Sequence, residues 1–355
     1  MAPKPAPPLR VKVLSSLPAA AWLHQLPHAT PAWEGCEFVF ERDARDYDWL
    51  VVYDDLPARP GEAKKTTFEE LACPRAHTLL VTTEPSSVKI YGDDFTAQFG
   101  AVLTSQPDWA LPHGQRMFGQ PALHWFYGIG RDETESFDHM LEHPPAEKTR
   151  DTSMVYSPKA MRHTLHHRRA RFMHWLVAHM PELDVFGRGT ARALDDKADC
   201  LRSYRYHVAI ENFVGVHHWT EKLADPFLGL TLPFYYGCPN AEEYFPHESF
   251  IRIDIDDPAG ALHTIRSAIA NDEYGKRLPA LLEARRRVMF EHNFFAVMAR
   301  AIARLHRPDT AIECGANILS RRALRLSSPV VALRDLYGKL RGRLLHLPAA
   351  LRGRS

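Results

Sequence analysis

Short apolar runs separated by helical patterns recur along almost the whole chain, and nothing else in the sequence limits its fold as strongly. A first series reads "RVKVLSS", "CEFVF", "DWLVVYDD", "HTLLVTTEP" and "FGAVLTSQ". A second starts at "TSMVYS", passes through the helical "MRHTLHHRRARFMHWLVAHM", and continues as "LDVFGRG", "YHVAIEN", "LPFYYG" and "FIRIDID". Alternation of strand and helix predicts an α/β chain built on open parallel sheets. The stretch "HGQRMFGQPALHWFYGIGRDETESFDHMLEHPPAEK" between the two series is irregular and proline-punctuated, which puts a domain boundary near residue 150. After "FIRIDIDDPAG" the pattern stays helical to about residue 306. The expected organisation is therefore residues 1–150, residues 151–306 and a basic tail, residues 307–355.

Composition narrows the partners. With 355 residues, 45% hydrophobic, 25% charged and a net charge of +1, the chain is ordinary globular material with no chain-wide field for nucleic acid. Its five cysteines are scattered without a CxxC pair, which suits a reducing compartment and neither zinc nor a redox dithiol. The start "MAPKPAPPLR" lacks the apolar segment of a secretory leader, and no run is long enough to span a bilayer. A cytoplasmic location is expected.

Two facing α/β domains would form a cleft, with ligands at the carboxyl ends of the strands. "HVAIENFVGVHHWTEKL", residues 207–223, lies at such an end. Glu211 and Asn212 follow a buried strand, and Thr220, Glu221 and Lys222 follow a loop. Asp225 and Pro226 read as the cap and first residue of a helix, whose positive end would favour phosphate beside Lys222. An ordinary solvated Glu221–Lys222 pair fits the same spacing. In the helix before it, Arg169 falls on the stripe of Leu165, Phe172 and Leu176, while Arg168 and Arg171 point away. An arginine there needs an anion, either a neighbouring carboxylate or a ligand phosphate.

"YRYHVAIEN", "TEKL", "LPFYYG" and "YFPHESFI", in this order, together with "DVFGRG" and "RARFMHWL", resemble the donor domain of the α-1,3-fucosyltransferases, glycosyltransferase family 10. The resemblance runs from about residue 153 to 257 and is thin before residue 150, where it rests on "TTEP". It implies a GT-B architecture of two facing Rossmann-like domains, with residues 1–150 binding acceptor and 151–306 binding donor. It also implies GDP-fucose as donor, inverting transfer to a glycan hydroxyl, and a bacterial-type enzyme of protein or lipopolysaccharide glycosylation. In its terms Arg169 contacts the diphosphate, Glu221 holds the ribose, Lys222 binds phosphate, and Glu211 and Asn212 line the donor pocket. Glu84, just after an apolar strand and before Pro85, matches the family's acceptor-activating glutamate; capping of the following turn is its other reading.

The chain departs from the family at Phe213, where serine is usual, and at His217, His218 and Trp219 before the Thr-Glu-Lys run. A transferase of the same fold using another nucleotide sugar, or a non-catalytic sugar-nucleotide or glycan binder, therefore stands beside the first reading. No metal is expected: adjacent His217 and His218 do not converge on one ion, and "DIDD", residues 254–257, reads as a strand end entering a helix at Asp257 and Pro258. No cofactor beyond the donor substrate is called for. The tail sets Arg334, Lys339, Arg341 and Arg343 beside Val331, Leu333, Leu336, Tyr337, Leu340 and Leu344 at helical intervals, a pattern suited to peripheral contact with an anionic membrane, here the inner membrane face.

Overall fold

The computed structural model describes residues 7–59, 61–63, 66–156 and 165–351, with side chains up to Leu347 except that of His166. Residues 161–164, the expected start of the arginine-bearing helix, and the last four residues of the tail lie outside that description. The chain divides into two compact units, residues 1–122 with 294–344 and residues 123–293 with 345–355. These units are drawn elsewhere than at the expected 150 and 306.

The first unit is built on β1 (Leu9–Leu14), β2 (Ala32–Trp33), β3 (Cys36–Val39), β4 (Trp49–Tyr53), β5 (Phe68–Glu70), β6 (Thr78–Val81), β7 (Ala101–Thr104) and β8 (Arg116–Phe118). Seven of these form one sheet in the order β2-β3-β1-β4-β6-β7-β8, all parallel except the short β2 edge. β4, β6 and β7 are nearly continuous apolar runs because both faces are covered, while β1 admits a buried Lys12 that pairs with Glu69 at 2.7 Å. Val11, Val13, Val51, Leu79 and Val81 enter one core, and Leu50, Val52, Leu80 and Val102 enter the other. The first core is closed by the helix Phe294–Leu305, which supplies Phe294, Phe295, Met298, Ala299 and Ile302 at helical spacing. That stripe carries the chain back into the first unit after residue 293.

The second unit holds β9 (Arg150–Tyr156), β10 (Asp184–Gly187), β11 (Tyr204–Ile210), β12 (Leu232–Tyr236) and β13 (Ile251–Arg252) in a parallel sheet ordered β10-β9-β11-β12-β13. β11 lies at its centre, with His207 opposite Ser153 of β9 and Ile210 opposite Tyr236 of β12. The chain leaving β11 therefore emerges at the middle of the sheet's carboxyl edge, where α/β sheets bind ligands. In the first unit, β14 (Asn317–Leu319) pairs antiparallel with β5. Among the described residues no helix is long and apolar enough to cross a membrane.

"DIDD" does local structural work. Asp254 accepts from the Asp256 amide at 2.9 Å, Asp256 binds the Nε of Arg168 at 2.9 Å, and Asp257 caps the helix Pro258–Ala270 by accepting from Gly260 N at 3.0 Å. Arg168 thus leaves the apolar stripe for a carboxylate.

Candidate functional site

A cavity of about 260 Å³ opens at the carboxyl edge of the second sheet. The helices His166–His179 and Glu221–Leu228 contribute Arg169, Glu221 and Lys222, a short turn contributes Lys197, and Asn212 follows β11. Val155, Met173, Val208 and Ile210 supply apolar wall. Among the described residues three cations and a single carboxylate line it, so an anion is the ligand its charge favours.

Arg169 is only 7% exposed, with Phe172 and Leu176 of the same stripe buried beside it. Its guanidinium donates to the side-chain oxygen of Asn212, and among the described residues its buried Nε has no hydrogen-bond partner. Burial pulls its pKa down, opposed by the charges of Glu211 and Glu221. A buried guanidinium satisfied by one amide and no direct carboxylate contact is short of an acceptor.

The Lys222 helix begins where the charges are, one turn earlier than expected. Thr220 is its cap, accepting from Lys222 N at 3.3 Å, and Asp225 and Pro226 lie inside it. A tertiary partner explains the displaced reading. Asp225, fully buried, binds Lys197 Nζ at 2.6 Å and accepts from the amides of Phe126 at 3.0 Å and Tyr127 at 3.2 Å, so its carboxylate is not available as a cap. The positive helix end falls at Glu221 and Lys222 themselves.

Glu221 and Lys222 meet at 2.7 Å, and Lys197 stands 3.9 Å from Glu221. Burial alone would raise the Glu221 pKa, but Lys222 and Lys197 outweigh it and hold the carboxyl down to about 2. Lys197 is held protonated in the same way: burial opposes the charge, and Asp225 and Glu221 more than compensate. The pair is thus one edge of a network and not a solvated couple. Sequence reasoning missed Lys197, whose neighbourhood "DDKADC" looks like an exposed charged turn.

Glu211 has a different position from Asn212. It is fully buried behind the cavity wall, accepting from Thr220 N at 2.8 Å and Thr220 Oγ1 at 2.7 Å. Burial raises its pKa, opposed by Lys222. Its carboxylate fixes the cap that starts the Lys222 helix, so Glu211 and Thr220 brace what Arg169, Asn212, Glu221 and Lys222 line. The departures from the family pattern stand apart from the cavity lining. His217 Nδ1 is 2.7 Å from Tyr244 Oη and 3.0 Å from Asn240 Nδ2, and Trp219 packs edge-on against Tyr244, Phe245 and His292. Among the described residues no group of three or more histidine, cysteine or acidic side chains is placed to hold a metal.

Burial pulls the pKa of His207 down to about 3 and that of His218 down to about 4, with Lys197 and Lys222 adding to the effect. Their ordinary value is 6.5, so below that pH the unfolded chain binds protons that the folded chain refuses, and stability falls as pH drops. Between pH 6.5 and 5 the loss should be roughly 2 kcal/mol per histidine. Urea unfolding of the wild type and of His207→Asn across this range checks it: the variant should show the shallower pH slope, and parallel slopes would refute it.

Glu84 lies in the first unit, exposed, directly beyond β6. The segment around it is tightly framed. Tyr91 Oη accepts from Thr83 N at 2.9 Å and donates to Asp54 Oδ1 at 2.5 Å, and Asp54 also takes Thr83 Oγ1 at 2.8 Å and Lys89 Nζ at 2.6 Å. Gln106 Nε2 donates to the carbonyls of Glu84 at 2.7 Å and Lys89 at 2.9 Å. Asp54, in the left-handed backbone region at φ 76°, is thereby occupied in bracing the segment.

Comparison with known proteins adds the family. The family model "Glycosyltransferase family 10 (fucosyltransferase) C-term" matches residues 146–273, which contain the whole cavity lining given above. The Helicobacter pylori protein "Alpha-(1,3)-fucosyltransferase FucT" is 28% identical over 109 residues, 27% of this chain and 23% of that protein's length. This match thus spans less than a quarter of the curated relative. Solved α1,3-fucosyltransferase structures with GDP and with GDP-fucose align over 78% of this chain and 83% of theirs, each at 16% identity, with TM-scores of 0.45 and 0.44. Through residues 146–273, the chain is similar to the C-terminal domain of glycosyltransferase family 10, the fucosyltransferases.

Proposed function

We propose that the protein is an inverting glycosyltransferase that moves L-fucose from GDP-fucose to a hydroxyl of a glycan acceptor, the second unit binding donor and the first acceptor. The observation that carries this reading is the buried Arg169, whose Nε has no partner among the described residues, beside Lys222 and Lys197 in a cavity within the matched family domain. Fucose is taken from the family match. No observation favours another sugar, since His217, His218 and Trp219 are absent from the cavity lining.

In this mechanism Glu84 accepts the acceptor's hydroxyl proton, and the oxygen attacks the anomeric carbon from the face opposite GDP. The bond from that carbon to the β-phosphate oxygen breaks, inverting the centre. Arg169 and Lys222 hold the diphosphate as its charge grows, and preorganised charge placed there stabilises the departing group more than the ground state. Glu221, kept ionised by two lysines, accepts from the ribose hydroxyls. Incubation with GDP-fucose and a panel of defined glycans tests the reading: acceptor-dependent GDP release and a fucosylated product are expected, and GDP release without product, or neither, would defeat it.

The tail helix Pro329–Leu351 supports peripheral membrane contact as a further part of this reading. Within it Asp335 is buried, while Leu336, Tyr337, Leu340 and Leu344 are roughly half to two thirds exposed. L336S/L340S/L344S should lower binding to anionic liposomes at least about tenfold, since each leucine removes on the order of 1 kcal/mol or more of apolar burial, and should leave transfer in solution unchanged. Equal liposome binding would remove the tail from the account.

A further inference from the structure

A second charged hollow, of about 380 Å³, lies in the first unit between the segment Ser86–Ile90 and the C-terminal helices. Lys89, Arg321, Arg325, Lys339 and Arg343 line it, and among the described residues no carboxylate does. Its counter-charges are few. Asp335, nearly buried, is shared by Arg325 at 3.2 Å, Lys339 at 2.5 Å and Arg321 at 3.9 Å, and Asp54 serves Lys89. Arg343 makes no ion pair among the described residues. Arg321 is further committed to the segment's own backbone, donating to Tyr91 O at 3.2 Å and Ile90 O at 2.5 Å. Arg321 and Lys89 thus build the floor, while Arg325, Lys339 and Arg343 keep donors for something else.

Gathering five cations around two carboxylates costs free energy through mutual repulsion unless an anion completes the set. The excess suits a doubly charged group better than a single carboxylate, and guanidinium forks beside an ammonium suit phosphate oxygens. We propose that this hollow is a binding site for a phosphoryl group, and that the glycan acceptor carries that group. The second part rests on Glu84 as base. Ser86 is two residues beyond Glu84, a chain reach of about 7 Å, so a phosphate held here lies roughly one sugar from the hydroxyl to be activated.

Calorimetry on the full chain with inorganic pyrophosphate as probe, under saturating GDP so that the donor cavity is filled, tests the site. Wild type should bind, R325Q/R343Q should bind at least about tenfold more weakly, and R343Q alone should show a severalfold loss should the double variant not fold. R131Q/R205Q removes equal charge from the other unit and should bind as wild type does. Binding of neither pyrophosphate nor phosphatidic acid by wild type, no loss in R343Q, or an equal loss in R131Q/R205Q would overturn the site. Sedimentation with phosphatidic acid vesicles against phosphatidylcholine vesicles separates the sources. Loss of phosphatidic acid binding in R343Q, with no soluble-probe binding, assigns the phosphate to a lipid headgroup and overturns the soluble acceptor. Glu84→Gln should bind the probe as wild type does, so a failure of the base assignment leaves this measurement standing.

Discussion

Glu84→Gln should fold, bind GDP-fucose as the wild type does, and lose fucosyl transfer by at least about a hundredfold, the lower end of general-base contributions. The substitution keeps the shape and removes the basicity. Folding should survive because what holds the segment is backbone and neighbouring side chains: Thr83 and Tyr91 on Asp54, and Gln106 on the Glu84 carbonyl. An exposed side chain on such a frame is the arrangement expected of a group that must meet an acceptor. Comparison of kcat for the variant with its affinity for GDP checks both halves. Transfer at near wild-type rate would move the base elsewhere in the first unit. Asp54 and Asp55 are poor substitutes, the first tied to Lys89 and Tyr91, the second accepting from the amides of Leu56 and Arg321; Asp94 pairs with Arg334, leaving Asp93 as the next residue to test.

Arg169→Ala and Lys222→Ala should each weaken donor use by roughly ten- to a hundredfold, since each removes a charge-assisted contact of about 1.5 to 3 kcal/mol in a partly desolvated site. The two should differ in kind. Among the described residues the Arg169 guanidinium bonds only Asn212, so its loss should fall on GDP binding and leave stability almost unchanged. Lys222 also neutralises Glu221, and without it the carboxyl pKa should rise toward its ordinary 4.5, moving the acid limb of activity upward. A pH profile of kcat/KM for Lys222→Ala reads that shift. Wild-type GDP affinity in both variants would show that the cavity is not the diphosphate site.

Most of the parallel strands were legible because fully covered strands leave largely apolar runs, and each quoted strand-like run overlaps one; β8 was not, since its "RMF" lies in the stretch read as irregular. The edge pieces β5 and β14 were not, since "FEE" and "NIL" are too short and too mixed to stand out. Arg169 was legible as a charge on an apolar stripe. Lys197 was not, because its meaning comes from Asp225, 28 residues away, and Asp225 was itself taken for a cap. Local sequence gave Asp-Pro its usual helix-start sense; a buried lysine and two amides overruled it. The return of Phe294–Leu305 to the first unit is similar. Its stripe shows that one face is buried and says nothing about which sheet buries it.

Central to the account is a GDP-sugar held by the second unit's cavity. Thermal unfolding of wild type and of R169A/K222A against GDP-fucose, GDP-mannose, UDP-glucose and GDP tests it, because a ligand that binds only the folded chain raises its stability with the logarithm of its concentration over Kd. GDP and GDP-fucose should stabilise the wild type, the uridine compound should not, and the double variant should respond to none. Stabilisation by UDP-glucose in preference to GDP-fucose, or an unchanged response in the double variant, would contradict it.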